Sequence, residues 1–369
     1  MKRIDEWLQT PPETRWERSL LNGLAVASRV YTAGVRARNW AYRSGVLRRT
    51  SLDIPVVSVG NITVGGTGKT PLAQFVARYF QSTGFRPVIV SRGYRKNSAR
   101  LNVVSDGERV LLSARKAGDE PYLLARTLPG VPVIVGRNRA VSACVAVGRF
   151  AADVVIMDDA FQHLKVARNL DIVLVDAANP LGNGKTLPGG TLREPLTDLA
   201  RAGAIVLTRV DQADGLNDLE QRLRSINQGA PIVHAVHVPE KLAVHPTEAP
   251  LDLAALRGAR VLAVSSIGNP AAFTGTLSSL GAIPLDHLRF PNHAKYRKRS
   301  LLKISSLADS LKCDAVVTTE KDMVRLPAHI GCACPVWVLS VRFAILRGEE
   351  DLLVKLDALT GHGRETTTL

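Results

Sequence analysis

Short runs of apolar, β-branched residues alternate with stretches of helical periodicity between residues 51 and 230. The runs are 55–59, 86–90, 131–135, 153–159, 170–176 and 204–208. Runs of this length, bounded by polar or glycine-rich loops, are typical of buried strands in a parallel sheet, and the periodic stretches between them predict helices on both faces of that sheet. The pattern therefore predicts an α/β fold whose functional residues lie at the carboxyl ends of the strands.

The pattern changes after residue 230. Residues 231–258 contain several prolines and little periodicity, and we interpret them as a linker. A second strand–helix pattern begins at residue 259 and predicts a smaller C-terminal α/β domain that extends to residue 369. We therefore predict four parts, namely an N-terminal region (1–50), a core (51–230), the linker and the C-terminal domain (259–369).

The N-terminal region contains one long helical pattern, from about residue 16 to residue 46. Its apolar positions at helical spacing are Leu20, Leu24, Ala27, Tyr31 and Val35. Arg29, Arg36 and Arg43 recur every seven residues, and aromatic residues are interleaved with the arginines. A basic amphipathic helix of this kind is typical of a membrane-surface anchor, but the pattern also fits a helix packed on its own domain, and the residues alone leave both open.

A glycine-rich stretch links the first strand of the core to its first helix. Glycines let the backbone approach a ligand closely, and the free N–H groups at a helix start attract an anion. We predict a P-loop in which Lys69 reaches the β- and γ-phosphates of a nucleotide and the Thr70 hydroxyl binds Mg²⁺, within a P-loop NTPase-like fold. Thr63 replaces the first glycine of the usual pattern, so a glycine-rich turn without a ligand is the alternative. The predicted nucleotide-binding residues are Gly60, Asn61, Thr63, Val64, Gly65, Gly66, Thr67, Gly68, Lys69 and Thr70.

Two adjacent carboxylates end the strand at 153–159. Asp158 and Asp159 follow an apolar run, as in the Walker B arrangement, in which a carboxylate binds Mg²⁺ directly or through water. Neighbouring residues of a strand point to opposite faces, so we expect one of the two to face the nucleotide. With Thr70 they form the predicted metal site.

Phosphoryl transfer also needs a group that positions the acceptor hydroxyl and accepts its proton. Asp119, in the segment 118–121, is one candidate, although an aspartate there could simply cap a helix. His293, beside a run of basic residues, is the other, although a lone histidine in such a setting is usually only hydrated. Spacing alone decides neither case.

The formal net charge of +15 favours an anionic partner, which could be nucleic acid, an acidic lipid surface or a phosphorylated substrate. Residues 1–50 contain ten Lys and Arg against four Asp and Glu, so a large share of the excess precedes the P-loop. Cys144, Cys313, Cys332 and Cys334 show no paired zinc spacing, and we interpret them as reduced thiols of a cytoplasmic protein.

Taken in order, the motifs resemble those of the tetraacyldisaccharide 4′-kinases over residues 15–355. The segments that carry the resemblance are Gly60-Asn-Ile-Thr-Val-Gly-Gly-Thr-Gly-Lys-Thr-Pro71, Ser91-Arg-Gly-Tyr94, Gly118-Asp-Glu-Pro121, Asp158-Asp-Ala-Phe-Gln-His163, Pro188-Gly-Gly with Leu192-Arg-Glu-Pro195, and Thr319-Glu-Lys-Asp322. The resemblance implies an ATP- and Mg²⁺-dependent enzyme that phosphorylates the 4′-hydroxyl of an acylated disaccharide 1-phosphate, a lipid A precursor, to give lipid IVA. It also implies a monotopic protein whose N-terminal helix binds the anionic cytoplasmic face of the bacterial inner membrane. Neither a nucleic-acid partner nor an obligate protein partner is expected.

The same resemblance implies roles for individual residues. Asp119 is similar to the family's catalytic base, and His293 to the histidine that assists it. Family members commonly have Asp before this histidine, where this chain has Asn292, so His293 would need another partner, such as Asp119. The residues matching the Walker B segment near the metal are Asp158, Asp159, Gln162 and His163.

Further candidates carry less specific expectations. Glu120 adjoins the implied base, and Arg193 and Glu194 match a loop pair of the family to which we assign no duty. Charge alone makes several arginines candidates for binding the phosphate of the acceptor. These arginines are Arg92, Arg95, Arg137 and Arg139.

Two other functions fit parts of the sequence. The strand at 204–208 leads into Thr208-Arg-Val-Asp211, which is close to the guanine-reading pattern of P-loop GTPases of regulatory or metal-chaperone type. A basic protein that binds nucleic acid or membrane, with ATP as a structural ligand, fits the charge, but the sequence contains no recognition-helix or RNA-binding motif. A preference for GTP would favour the first function, and salt-sensitive binding to nucleic acid the second.

Overall fold

The structure, a computed structural model, describes residues 14–93, 101–292 and 294–361. The elements up to residue 230 are α1 (Arg15–Arg43), β1 (Val56–Asn61), α2 (Lys69–Ser82), β2 (Pro87–Ser91), β3 (Asn102–Ser105), α3 (Ala114–Ala117), α4 (Asp119–Thr127), β4 (Val133–Val135), α5 (Arg139–Phe150), β5 (Val154–Asp158), β6 (Leu170–Asp176), β7 (Ala204–Thr208) and α6 (Leu216–Ile226). The later elements are β8 (Ile232–His245), β9 (Ala249–Leu251), β10 (Arg260–Ser265), α7 (Pro270–Ser279), β11 (Ile283–Arg289), α8 (Lys298–Leu311), β12 (Ala315–Thr319), α9 (Glu320–Met323), β13 (Val336–Arg347) and α10 (Glu349–Thr360). The predicted α/β fold is confirmed.

The thirteen strands of the described residues form one sheet, in the order β11-β10-β12-β13-β8-β7-β6-β1-β5-β2-β4-β3, with β9 on β8. Strands β1–β8 form what we call the N-terminal half. Within it, β1, β2 and β4–β8 run parallel to one another, and β3 pairs antiparallel with β4 at the edge. Strands β10–β13, the C-terminal half, are also parallel to one another. Because β8 and β13 pair antiparallel, the strands of the two halves run in opposite directions.

The interpretation of residues 231–258 as a linker is corrected by the structure. Fourteen of these residues form β8, which pairs with β7 on one side and β13 on the other. The prolines made a strand look improbable, but Pro239 lies beside a bulge, where the register shifts between Ser340 and Val341 of β13. A bulge accommodates a residue that cannot donate to the ladder. The sheet is therefore continuous across the predicted linker, and only the N-terminal region, the core and the C-terminal domain of the proposed division stay predictions.

Helices cover both faces of the N-terminal half and fix the position of the glycine-rich loop. On one face, Leu72, Val76 and Phe80 of α2 are buried against the strands. On the other face, Ala140 and Ala143 of α5 pack in a separate core. Because α2 is anchored along its length, its first turn is held at the carboxyl end of β1.

Helix α1 packs on this body through a narrow polar face. Its buried residues are Ser28, Val35 and Asn39, and a capping box between Thr14 and Glu17 closes its N-terminus. Among the described residues, no helix is both long enough and apolar enough to cross a membrane.

Candidate active site

The glycine-rich loop runs from the end of β1 to the start of α2, as predicted. Gly65 and Gly68 have φ values of +128° and +86°, conformations that residues with a Cβ rarely adopt. Gly68 is the N-cap of α2, so the helix begins with the backbone amides of Lys69 and Thr70 facing the loop. This geometry presents N–H groups and the positive end of a helix dipole to an anion.

Neighbouring loops hold the P-loop in this shape. The amide of Val64 donates to the carbonyl of Thr191 at 2.8 Å, which places the predicted loop 188–195 against the P-loop. Gln162 Nε2 donates to the carbonyl of Asn61 at 2.9 Å. Gly60 lies so close to Phe161 that a Cβ at Gly60 would be 2.7 Å from the Phe161 Cβ. The candidates Gln162, Asn61 and Gly60 therefore shape the loop through its backbone.

The Thr-Arg-Val-Asp segment that begins at the end of β7 also holds the P-loop, through hydrogen bonds to its backbone. Thr208 Oγ1 donates to the carbonyl of Thr67 at 3.1 Å, and Arg209 Nη2 donates to the carbonyl of Gly66 at 2.7 Å. Arg209 Nη2 is also 2.5 Å from Asp176 Oδ2. Arg209 thus contacts the P-loop and Asp176. These contacts account for the presence of the Thr-Arg-Val-Asp segment without a role in reading a guanine base.

Asp158 and Asp159 lie in different electrostatic environments. Asp158 is 2% exposed and accepts a hydrogen bond from Ser91 Oγ at 3.2 Å. Burial, reinforced by the charges of Glu120 and Asp159 and opposed by Lys69 and Arg139, raises the pKa of Asp158 to about 7. In the described part of the chain its Oδ1 has no hydrogen-bond partner. Asp158 is therefore a buried acid with one oxygen available to a cation.

Asp159 is already paired with cations. Its Oδ1 lies 2.7 Å from Arg193 Nη1 and 3.6 Å from Lys69 Nζ. Burial alone would raise the pKa of Asp159, but the charges of Lys69, Arg193 and Arg139 outweigh it and hold the pKa below its usual value. Lys69 Nζ also donates to the carbonyl of Gly65 at 3.5 Å, so the predicted phosphate-binding lysine lies across the loop.

A basic cluster borders the two acids on the side of α5. Arg139 is 4% exposed, whereas Arg92 and Arg137 are exposed. Burial, followed by the charges of Arg139 and Arg168, lowers the pKa of His163 to about 4, so the imidazole is neutral at pH 7. Arg139, with Arg92 near it, forms a positively charged wall beside Asp158 and His163. Arg95 lies outside the described residues.

Asp119 and Glu120 open α4 on the opposite side of the site. The N-cap of α4 is Gly118, so the cap alternative for Asp119 is wrong. Asp119 Oδ2 is 3.4 Å from Arg325 Nε, and Glu120 Oε1 is 2.7 Å from Lys321 Nζ. Because the charge of Glu120 contributes to the raised pKa of Asp158, α4 places Glu120 near the Walker B segment, and Asp119 is the preceding residue of the same helix. His293 lies outside the described residues.

Glu194 serves a different purpose from its neighbour Arg193. It is completely buried, with Arg38 Nη2 of α1 at 2.5 Å from Oε1 and Arg201 paired to Oε2. Tyr31 of α1 donates its hydroxyl to the carbonyl of Arg193 at 2.9 Å. Glu194 therefore fastens α1 to the body, while Arg193 pairs with Asp159.

The sequence did not indicate that residues of the C-terminal half border the site. Gly268, after β10, lies so close to the P-loop that a Cβ on it would be 2.9 Å from the Gly66 nitrogen. Lys321 and Arg325, next to the acids of α4, follow β12. The Thr319-Glu-Lys-Asp322 motif was a signal that this region carries function, but its spacing did not reveal the partners.

The residues fit a nucleotide with a divalent cation. Among the described residues no group of three His, Cys, Asp or Glu side chains forms a ready-made metal cage. Mg²⁺ usually binds one or two carboxylates together with substrate phosphates and water. The available Oδ1 of Asp158 beside the P-loop meets that requirement.

Comparisons with known proteins agree with this geometry. The family model of tetraacyldisaccharide-1-P 4′-kinases (LpxK) matches residues 20–360. The chain is 43% identical over 349 residues to the tetraacyldisaccharide 4′-kinase of Anaeromyxobacter sp. (strain Fw109-5), covering 94% of each. It is 39% identical over 338 residues to that of Syntrophus aciditrophicus (strain SB), covering 87% of this chain and 88% of the relative.

A solved structure extends the likeness to three dimensions. The crystal structure of the "apo" form of LpxK from Aquifex aeolicus in complex with ATP has a TM-score of 0.73 and 29% identity to this chain. The match covers 92% of this chain and 99% of that one. These matches favour the kinase over the GTPase alternative, and the chain belongs to the tetraacyldisaccharide 4′-kinase family.

Proposed function

We propose that this kinase transfers the γ-phosphate of ATP to the 4′-hydroxyl of a tetraacyldisaccharide 1-phosphate and so produces lipid IVA. The observation that carries the proposal is that Lys69 of the P-loop, the Walker B acids Asp158 and Asp159, and Glu120 of α4 interact within one site. In balanced form, the 4′-oxygen bonds to the γ-phosphorus, the bond between that phosphorus and the bridging oxygen breaks, and ADP leaves. The hydroxyl proton passes to a carboxylate.

In this proposal the P-loop binds the phosphate chain. The amides from Gly65 to Thr70 donate to the phosphate oxygens, and Lys69 turns from Asp159 toward the β- and γ-phosphates. Thr70, Asp158 and Asp159 would hold Mg²⁺, which neutralises phosphate charge when bound. As Lys69 leaves, Arg193 still pairs with Asp159 at 2.7 Å and keeps that carboxylate in place.

Asp119 accepts the proton of the 4′-hydroxyl, and His293 assists it. The side chain of Asp119 is 18% exposed, so an acceptor hydroxyl can reach its carboxylate. The wall formed by Arg92 and Arg139, together with the exposed Arg137, supplies cations for the 1-phosphate of the acceptor.

We further propose that α1 rests on the anionic cytoplasmic surface of the inner membrane. At about 100° per residue, Val26, Val30 and Trp40 fall on the face of α1 opposite its buried residues, and they are 59%, 70% and 61% exposed. The exposed residues Arg29 and Arg36 lie beside this apolar face. Apolar side chains that enter a bilayer beside arginines that meet its phosphates are the features of an interfacial helix.

The test is a transfer assay with purified protein, ATP, Mg²⁺ and the tetraacyldisaccharide 1-phosphate in detergent micelles. We expect a labelled phosphate on the lipid, and Asp119→Ala should lower turnover by about 10²- to 10⁴-fold while ATP still binds. A wild-type enzyme that leaves the lipid unlabelled would overturn the proposal. A fully active Asp119→Ala would remove Asp119 as the base, and a strong preference for GTP would revive the GTPase alternative.

A further inference from the structure

Arg325 lies at the boundary between the two halves, just after α9, with a side chain that is 8% exposed. Its Nε is 3.4 Å from Oδ2 of Asp119. Its Nη2 donates to Oδ1 of Asp322 at 2.6 Å, and its Nη1 donates to the carbonyl oxygen of Ala294 at 3.0 Å. One guanidinium thus joins the proposed base on α4 to two segments of the C-terminal half.

Asp322 fixes the direction of this guanidinium. The carboxylate is completely buried and, besides Arg325, accepts hydrogen bonds from the Ser266 amide (3.0 Å) and the Ser266 hydroxyl (2.6 Å). The hydroxyls of Tyr296 (3.0 Å) and Thr319 (2.7 Å) also donate to it. A buried carboxylate with this many donors is a rigid anchor, and it remains satisfied if one donor is lost.

Arg325 and Asp322 also bind the segment that follows His293 in sequence. Arg325 binds the carbonyl of Ala294, and Asp322 binds the hydroxyl of Tyr296. Both ends of this three-residue stretch are therefore tied to Arg325 and Asp322. The stretch is fixed in the same frame as Asp119.

We propose that Arg325 is a positioning residue for phosphoryl transfer, which sets the carboxylate of Asp119 against the C-terminal half so that it meets the acceptor hydroxyl. This inference rests on the proposed function. An arginine suits the task because its planar fork addresses several acceptors at fixed angles, whereas a lysine offers a single point charge.

The experiment compares Arg325→Gln with Arg126→Gln in steady-state transfer to the lipid acceptor. Arg126 is the matched control, because it lies on α4, as Asp119 does, and pairs with Glu248, which follows β8, at 2.5 Å, away from the base. We expect Arg325→Gln to lower kcat by about 100-fold, the scale of a misplaced reacting group, with an unchanged KM for ATP. Arg126→Gln should keep the wild-type kcat. Arg325→Lys should recover only part of the loss.

A second comparison separates positioning from folding. In an Asp119→Asn background, Arg325→Gln should change the residual rate by less than about twofold, because the group through which it acts is already gone. A purely structural role would lower the rate equally in both backgrounds and would overturn the inference. A near-normal kcat in Arg325→Gln, full activity in Arg325→Lys or an equal loss in Arg126→Gln would also overturn it. In all these cases the wild-type enzyme still labels the lipid, whereas a wild type that fails to do so overturns the proposed function itself.

Discussion

At the scale of single residues, Asp158 is a buried acid whose raised pKa favours the neutral, protonated form until a cation binds. The carboxylic acid is buried at the end of β5, and its pKa is raised to about 7. A cation that binds its available oxygen must displace the proton. Binding of Mg²⁺ and ATP should therefore release protons near neutral pH and strengthen as the pH rises through 7.

The same residue makes the stability of the free protein depend on pH. In the unfolded chain an aspartate ionises near pH 4, whereas folded Asp158 ionises near pH 7. Its contribution to the free energy of unfolding is complete below about pH 4 and is lost as the pH rises through 7. Without metal and nucleotide, we expect wild-type stability to fall between pH 5 and pH 8 relative to Asp158→Asn.

Thermal melts of the two proteins across that pH range check this expectation, with Asp153→Asn, at the start of the same apolar run, as a control. The informative quantity is the difference in slope, since the substitution also changes the stability at every pH. Parallel curves for wild type and Asp158→Asn would contradict the raised pKa.

At the scale of elements, α1 buries Ser28, Val35 and Asn39 and leaves the apolar side chains of Val26, Val30 and Trp40 exposed on the opposite face. If this face binds lipid, Val30→Glu should weaken binding to anionic vesicles about tenfold or more, from lost apolar burial and added negative charge. Val354→Glu on α10, at a side chain that is 59% exposed against 70% for Val30, should leave binding unchanged. Co-sedimentation with phosphatidylglycerol vesicles measures both, and equal binding of the two variants would argue against α1 as the anchor.

The attachment of α1 depends on Glu194. Removing its charge leaves Arg38 without its carboxylate and the partly buried Arg201 with only the more distant Asp198, so Glu194→Gln should destabilise the protein by about 2 kcal/mol. Breaking the exposed pair Arg86–Asp153 by Arg86→Gln should change little. Denaturant unfolding measures both effects, and similar midpoints for the two variants would refute a special role for Glu194.

These elements also show what the sequence could reveal. Strands β1 and β5–β7 were predictable because they are buried on both faces and so read as unbroken apolar runs. Strand β8 was not, since half of it is partly exposed and Pro239 sits at a bulge. The pairing of Glu120 with Lys321 joins residues 201 positions apart. Such contacts follow from the path of the whole sheet, which local periodicity does not encode.

At the scale of the whole molecule, the two halves meet through loops at the carboxyl ends of their strands. Gly66 follows β1 and Gly268 follows β10, and their backbones are in close contact. We expect Gly268→Ala to lower kcat/KM for ATP by between about 10- and 100-fold, because the new Cβ displaces the P-loop. Gly275→Ala in α7 is the control, since its Cβ would meet nothing within 4 Å among the described residues and alanine favours a helix.

Steady-state kinetics at varied ATP, with melting temperatures as a check on folding, would test this contact. A normal kcat/KM in Gly268→Ala would mean that the loop after β10 does not constrain the nucleotide. A comparable loss in Gly275→Ala would point to α7 rather than to the contact with Gly66.

The long antiparallel pair β8–β13 joins the two halves of the sheet. Its two register shifts allow the ribbon to curve, and a cavity of about 630 Å³ lined by α2, α4, β8, β13 and α10 lies beside it. Gly268 and Arg325 both belong to the C-terminal half, beyond this ribbon. A bend in the ribbon would therefore shift the contact with the P-loop and the contact with Asp119 together.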